Sequence, residues 1–479
     1  MKPNASRIGS WIFPLAAVLL STPLVHATGG TPTGSGTEAD PFLLADYSDL
    51  KAVGSDTIHT PAKVYRVVAD IDASPSRTEN YGYGFIPICP NFGPDFTGSF
   101  HGSGHRIRGL TINTDGGMGI GLFSRIGVGG LVDSLELTDD SITGGTVPTG
   151  ALAGMNIGTV NGCRSSGHVS GYLEVGGLVG YNTGSISNSS ASGALTGWES
   201  SCGGLVGWNA GVVGSSNSAV RVYASSALAV GGLVGENDSL VIECSSSDSV
   251  QGRGQGVGGL VGLNLGTVRS SFSTGSVDGF PDIWAWCTGG LVGANAATAT
   301  VQGSYSAGRP TVHNPRNADD SMVGGLVACS DSIHSVSNSY WDTATSGLSM
   351  TAGGGAGRST AQMMQQANFG GWDFSSVWSI ENGTTYPYFH VPGSVQTSML
   401  DHPVRRSNSP NHWSLVGRDL TVTSPGKEIQ VALHDLSGRE IFSGSGTSTF
   451  HLILPAGRSL LLSLDGDGQH GIFVLPVVR

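Results

Sequence analysis

Three acids stand close together in one stretch of the chain, Glu236, Asp238 and Glu243. Two carboxylates at a defined separation can hydrolyse a glycosidic bond. A base beside a cation that stabilises a developing carbanion can support lyase chemistry. These three residues are the catalytic candidates if the protein is an enzyme. The flanking repeats place Trp208 and Leu263, not further acids, in the column of Glu236. Solvated corner charges are therefore the ordinary alternative. Aromatic residues point to a different chemistry. Tyr181, Trp198, Trp208, Trp284 and Trp286 are candidate ligand-binding residues. Such rings suit sugars, which have an apolar face and polar edges. The alternative for them is packing under loops or against end caps.

Other chemistries lack their signatures. There is no His-Glu-x-x-His, no Gly-x-Ser-x-Gly and no Cys-x2-Cys. Asp465-Gly466-Asp467-Gly468 looks like the start of a calcium loop but lacks the rest. It reads as a hairpin turn. No metal and no cofactor is expected. The chain has 23 basic and 35 acidic residues, and Lys is absent between Lys63 and Lys427. A nucleic-acid groove needs clustered Lys and Arg, so nucleic acid is not an expected partner.

These residues must be positioned by something, and the chain repeats a seven-residue phrase that does it. Gly-Gly-Leu-Val-Gly-x-Asn occurs at 176–182, 203–209, 231–237, 258–264 and 289–295. Degenerate copies occupy 150–156 and 324–330. The second residue of each copy falls at 151, 177, 204, 232, 259, 290 and 325, a spacing of 26 to 35 residues. A period near 27 is the mark of a solenoid. Val160, Ile186, Val213, Val241 and Val268 follow nine residues after the marker, and Val169, Leu195, Val222, Val250 and Val277 follow eighteen after. Three short strands per coil are expected, with Ser, Gly, Asn and Thr at the corners. Stacked coils then bury a continuous apolar column. Asn156, Asn182, Asn209, Asn237, Asn264 and Asn295 form a column that reads as a structural ladder.

With 76 Gly and 12% charged residues, the composition fits tightly turned β structure. The pattern GGLVGxNxGxIxNS, cleanest at 176–189, resembles the GLUG motif of bacterial surface and secreted proteins. That resemblance implies an all-β parallel β-helix, right-handed by analogy, on an exported protein. It implies little about activity.

The ends of the chain carry their own signals. Residues 1–27 read as a secretory signal peptide, with Lys2 and Arg7, an apolar run from Trp11 to Leu20 and Val25-His26-Ala27 at the cleavage site. No other stretch is apolar enough to span a bilayer, so no transmembrane segment is expected after its removal. Residues 28–37 form a linker, 38–140 an N-terminal cap with the first coils, and 141–345 the array. A C-terminal cap with a short helix is expected over 346–392, and a linker over 393–410. The segment from Phe96 to Ile107 is similar to one that often precedes GLUG arrays, with His101 and Ser103 in place of its usual Asp and Asn. Six Cys in an exported chain permit disulfides. Cys163 and Cys244 lie three coils apart, too far to bond. Cys202 and Cys287 are as far apart and could meet only through long corner loops. Few bridges are expected.

Residues 411–479 read as a small β-sandwich. Leu433-His434-Asp435-Leu436-Ser437-Gly438-Arg439 and Leu454-Pro455-Ala456-Gly457 resemble the sorting domain of type IX secretion cargo. The resemblance implies contact with secretion machinery through 411–479. It also implies a location outside, or on the outer surface of, a Gram-negative-type bacterium. Together these readings give a non-enzymatic surface or secreted protein whose β-helix side face binds polysaccharide or another adhesion partner. A carbohydrate-active enzyme and a structural spacer are the alternatives.

Overall fold

In the computed structural model, the described residues are 31–90, 93–280, 287–313, 323–331, 335–349, 351 and 353–390, with the backbone of seven strands between His412 and Leu475. The expected signal peptide, Trp284, Trp286 and the 393–410 linker lie outside the described residues.

The repeat folds into a parallel β-solenoid, and one coil serves for all. Its strands are Val175–Gly176, Val179–Asn182, Ser185–Ser187 and Ser190–Gly197. Each pairs in parallel with its counterpart one coil on: Val179 with Val206, Ile186 with Val213, Leu195 with Val222. The coil thus has four faces, with 7, 8, 11 and 15 strands among the described residues. The expected three-strand coil is corrected in one respect. Its first strand is two pieces, bent at Gly177-Leu178. A side chain on Gly176 would place its Cβ only 1.9 Å from the Val179 carbonyl oxygen. The paired glycines make a sharp bend where the spacing suggested a straight strand.

Alternation then sorts the side chains. Leu178, Val179, Ile186 and Leu195 point inward and are buried, as are Leu205, Val206, Val213 and Val222. Each such burial is worth about 1.5–3 kcal/mol relative to exposure. The corner between the third and fourth faces is left-handed in each described coil from Leu131–Asp133 on. Ser134, Gly162, Asn188, Ser215, Glu243, Ser270, Gly303 and Asn338 all have φ between 46° and 64°. Small or locally hydrogen-bonding residues suit that conformation, and they fill most of this column.

Two interior ladders run along the stack. In the first, Asn182 Nδ2 donates to Asn209 Oδ1 at 2.8 Å, Asn209 to Asn237 at 2.8 Å, Asn237 to Asn264 at 2.8 Å and Asn264 to Asn295 at 2.7 Å. Asn156 starts the ladder, donating to Asn182 at 2.8 Å. Its own Oδ1 has no donor, because the preceding coil places Ile126 opposite it. The second ladder is of Ser at the inner corner: the amide of Ser189 donates to Ser216 Oγ at 3.1 Å, and that of Ser271 to Ser304 Oγ at 3.1 Å. Cys163 and Cys244 occupy this same column. Burial pushes both thiols up to about 12, so they are inert in ordinary solution.

The N-terminal segment continues the solenoid. Phe42–Leu44, Val64–Val67 and Ser99–His101 extend the third face ahead of Leu131–Asp133. A short helix, Tyr47–Ala52, is capped by Asp46, whose carboxylate accepts from the amides of Ser48 and Asp49. Tyr65, Phe96, Phe100 and Phe123 fill the core here. At the other end of the array, Phe369 and Trp372 pack on Tyr340, and a four-residue helix, Thr360–Met363, begins in a capping box of Ser359 and Gln362. These rings cover the terminal coil, which would otherwise present an unpaired edge.

The chain divides into two compact units. The first extends to Trp372 and includes Asn382–Thr384; the second comprises Asp373–Glu381 and the chain from Thr385 on. In the second, His412–Val416, Asp419–Thr423 and Thr449–Ile453 form one antiparallel sheet. Glu440–Gly446, Ile429–Asp435, Leu460–Gly466 and Gln469–Leu475 form another. Gly466 pairs with Gln469; Asp467 and Gly468, read as part of a hairpin turn, lie outside the described residues. No helix among the described residues is long and apolar enough to cross a membrane.

Candidate functional site

The bend at the paired glycines has a consequence on the outside of the coil. It folds the first and second faces toward each other and leaves a re-entrant crease between them. The third glycine of the repeat lies in this crease. A Cβ on Gly207 would fall 2.6 Å from the Val175 amide and 2.7 Å from the Glu174 carbonyl carbon. The second face of one coil therefore rests against the first face of the coil before it.

One outward column lines the crease. Met155, Tyr181, Trp208, Glu236, Leu263, Ala294 and Cys329 stand in register on successive coils. Tyr181 and Trp208 meet edge to face with centroids 5.1 Å apart. Trp208 Nε1 donates to Asp238 Oδ2 at 2.9 Å, which fixes the indole ring. Opposite them, the residue three before each marker forms the facing wall, with Glu174 and Ser201 on successive coils. Ser201 Oγ donates across the crease to Glu236 Oε2 at 3.0 Å. Burial raises the Glu236 pKa above the usual carboxylate range, and the charges of Asp238 and Glu174 push it the same way. Tyr172 and Trp198 stack at the adjoining corner, 5.4 Å apart with planes at 23°. Tyr172 is 44% exposed.

The structure brings some of the singled-out residues together and separates others. Tyr181, Trp208, Glu236 and Asp238 share the crease. Trp198 stacks at the corner before it. Glu243 does not join them. It occupies the left-handed corner after the third face and hydrogen-bonds with Ser215 at 3.4 Å. The expected trio of Glu236, Asp238 and Glu243 is therefore not gathered in one place; Glu174, not Glu243, is the further acid whose charge acts on Glu236. Sequence reading passed over Glu174 and Tyr172. Counting three residues back from the marker would have aligned Glu174 with Ser201.

The same column logic explains the disulfide. Cys287 and Cys329 are bonded, with Cα atoms 5.5 Å apart. Cys287 occupies the position of Ser201 on its coil, and Cys329 that of Glu236 on the next. The bridge spans the crease at the place where Ser201 and Glu236 span it by a hydrogen bond. Cys287 pairs not with Cys202, three coils away, but with Cys329, because adjacent coils put the two walls within bonding distance. Cys89, Cys163, Cys202 and Cys244 are free and buried.

The GLUG motif family matches residues 171–196, the coil that carries Tyr172, Glu174, Tyr181 and Leu195. Halomucin of Haloquadratum walsbyi is 37% identical over 144 residues, covering 29% of this chain and 2% of halomucin. A provisionally named Gly-rich membrane protein of Evansella cellulosilytica is 33% identical over 445 residues, covering 77% of this chain and 47% of that protein. The chain therefore spans less than half the length of either relative. Among solved structures, a provisionally named immunoglobulin A1 protease from Bacteroides ovatus superimposes with a TM-score of 0.42 at 16% identity, over 75% of this chain and 94% of that one. An IgA1 protease gives 0.38 at 15% identity, over 74% and 26%. Scores this low carry no weight; the fold rests on the strand register. The chain is a parallel β-helix that carries the GLUG motif at residues 171–196.

Proposed function

We propose that the protein is a surface-type, non-enzymatic binding protein whose crease holds polysaccharide. The carrying observation is the Tyr181–Trp208 pair, in register at 5.1 Å in a partly open crease with polar neighbours. Ring faces bind the C–H faces of sugars, and Asp238, Ser201 and Glu174 offer hydroxyl partners. Glu174, Glu236 and Asp238 together with a formal charge of -12 disfavour a polyanionic chain. The ligand class is therefore a neutral polysaccharide. The names of halomucin and of the Gly-rich membrane protein support a surface-type protein, as does the low charge content. Residues 411–479 serve delivery across an outer membrane in this reading, on the resemblance of Leu433–Arg439 to a sorting domain.

The test incubates the full chain with insoluble neutral and acidic polysaccharides. Protein depletion and new reducing ends are recorded in the same tubes. Depletion on a neutral polysaccharide without new ends is expected, falling about tenfold or more in Trp208→Ala. Absence of depletion on every polymer would leave the spacer reading. One observation favours a second reading as hydrolase. Glu236 has a raised pKa beside aromatic rings, the setting a general acid requires. New ends that vanish in Glu236→Gln would establish it.

A further inference from the structure

A second concave site lies in the N-terminal cap, far along the sequence from the crease. It is a cleft of about 260 Å³ between the loop at 80–90 and the loop at 114–124. Its lining is neutral, with no charged residue among the contributors. Tyr83 and Ile86 stand at its exposed rim, 59% and 58% exposed. Pro87 and Pro90 add rigid apolar surface. Ser124 lies deep, 1% exposed, and its hydroxyl has no hydrogen-bond partner in the protein. A buried hydroxyl left unpaired is costly unless something supplies a partner.

The rim is held in an unusual backbone. Asn80 and Tyr81 have φ of 50° and 60°, in the left-handed region that non-glycine residues rarely adopt. The conformation persists because the segment is tied at several points. Asn80 Nδ2 donates to the Gly84 carbonyl at 2.7 Å, and the Asn113 amide donates to the Tyr83 carbonyl at 2.8 Å. Backbone strain of this kind is found where a loop must present particular side chains. Here it presents Tyr83 to solvent at the mouth of the cleft.

We infer that this cleft is a binding site for one neutral sugar ring. The combination decides the class. An exposed phenol and two prolines suit a ring with an apolar face. The Ser124 hydroxyl and the Asn80 carboxamide oxygen suit its hydroxyls. The absence of any charge in the lining leaves a carboxylate, phosphate or ammonium ligand desolvated without compensation. The volume is close to the lower end of small-molecule sites, about 300 Å³, and suits a single ring rather than a chain. The site is independent of the crease: it lies on other residues and does not require the polysaccharide reading to hold.

The test uses the full chain and ligand-observed saturation-transfer NMR. Probes are glucose, galactose, mannose and N-acetylglucosamine, with glucuronate, glucosamine and a neutral Pro-rich peptide as the contrasting arms. The expected result is saturation of at least one neutral sugar with Kd on the order of 1 mM. Two variants then locate it. Tyr83→Ala removes the exposed ring. Gly116→Leu fills the cleft from a position where an added Cβ meets nothing within 4 Å, so the fold tolerates it. Each is expected to weaken binding at least tenfold with an unchanged melting temperature, while Trp208→Ala leaves it unaltered. Preference for glucuronate, glucosamine or the peptide, binding that survives both variants, or no binding by any neutral sugar would overturn the assignment.

Discussion

Tyr181 and Asn182 are adjacent in the chain and belong to opposite worlds. Asn182 points inward, fully buried, in a column where six successive coils carry Asn. Tyr181 points into the crease, in a column that reads Met, Tyr, Trp, Glu, Leu, Ala and Cys. The inner position repeats because each side chain is both donor and acceptor to identical neighbours, so any other residue breaks two bonds. The outer position varies because nothing in the stack depends on it. Repetition marks what the solenoid needs. Variation marks where chemistry can be placed. Even Cys329 obeys this rule, turning an outer position into a cross-link to Cys287.

Breaking the inner column should cost most. Asn209→Ala takes from Asn182 Nδ2 its 2.8 Å acceptor, leaving it only the Gly184 and Val212 carbonyls at 3.4 Å, and removes the side-chain donor to Asn237 Oδ1; it is expected to lower stability by about 3 kcal/mol in denaturant titration. Asn156→Ala sharpens the comparison. Its oxygen is already unpaired, so its loss should cost about half as much. An inner residue of another kind tests the same rule by pH. Asp140 is 4% exposed, and neither carboxylate oxygen has a hydrogen-bond partner. Asp139, at φ 57°, shifts the register there and sets Asp140 opposite Gly167. Burial, with the charge of Asp139 added, raises the folded-state pKa of Asp140 well above the usual range, outweighing the nearby Leu110 amide. The neutral form is the one that folding favours. Its stabilisation is full below about pH 3.9, the unfolded value, and is lost as pH rises through the folded value. Asp140→Asn should therefore raise the melting temperature at pH 7 and leave it nearly unchanged at pH 3.5. Cys244→Ser restores a hydroxyl to the Ser ladder and should stabilise by about 0.5–1 kcal/mol, since sulfur is the weaker partner there. On the outer column, Trp208→Ala should change stability by less than about 1 kcal/mol while removing polysaccharide retention.

Much of this was legible in the sequence, for physical reasons. The period, the apolar columns and the Asn column all come from residues that face identical copies of themselves, so each repeats at the coil length. The Tyr181–Trp208 pairing follows from the same register. What escaped was local geometry that the period does not encode. The bend at Gly177-Leu178 splits a strand and creates the crease, yet the paired glycines alone fit a turn or a flat strand equally well. Without the crease, Glu174 and Glu236 fall in unrelated columns, and Cys287 has no visible partner in Cys329. Glu243 looked close to Glu236 along the chain, but a corner and the strand Leu240–Ile242 intervene. The inward turn of Asp140 depends on one bulged residue, Asp139, that no repeat foreshadows.

The most direct test of the central claim measures melting temperature and retention on a neutral polysaccharide for Asn209→Ala and Trp208→Ala side by side. The account predicts that Asn209→Ala melts several degrees lower and, assayed well below its melting point, still binds. Trp208→Ala should melt with the parent and fail to bind. Trp208→Ala that binds as well as the parent would contradict the assignment of function to the crease, and a parental melting temperature in Asn209→Ala would contradict the structural role of the ladder.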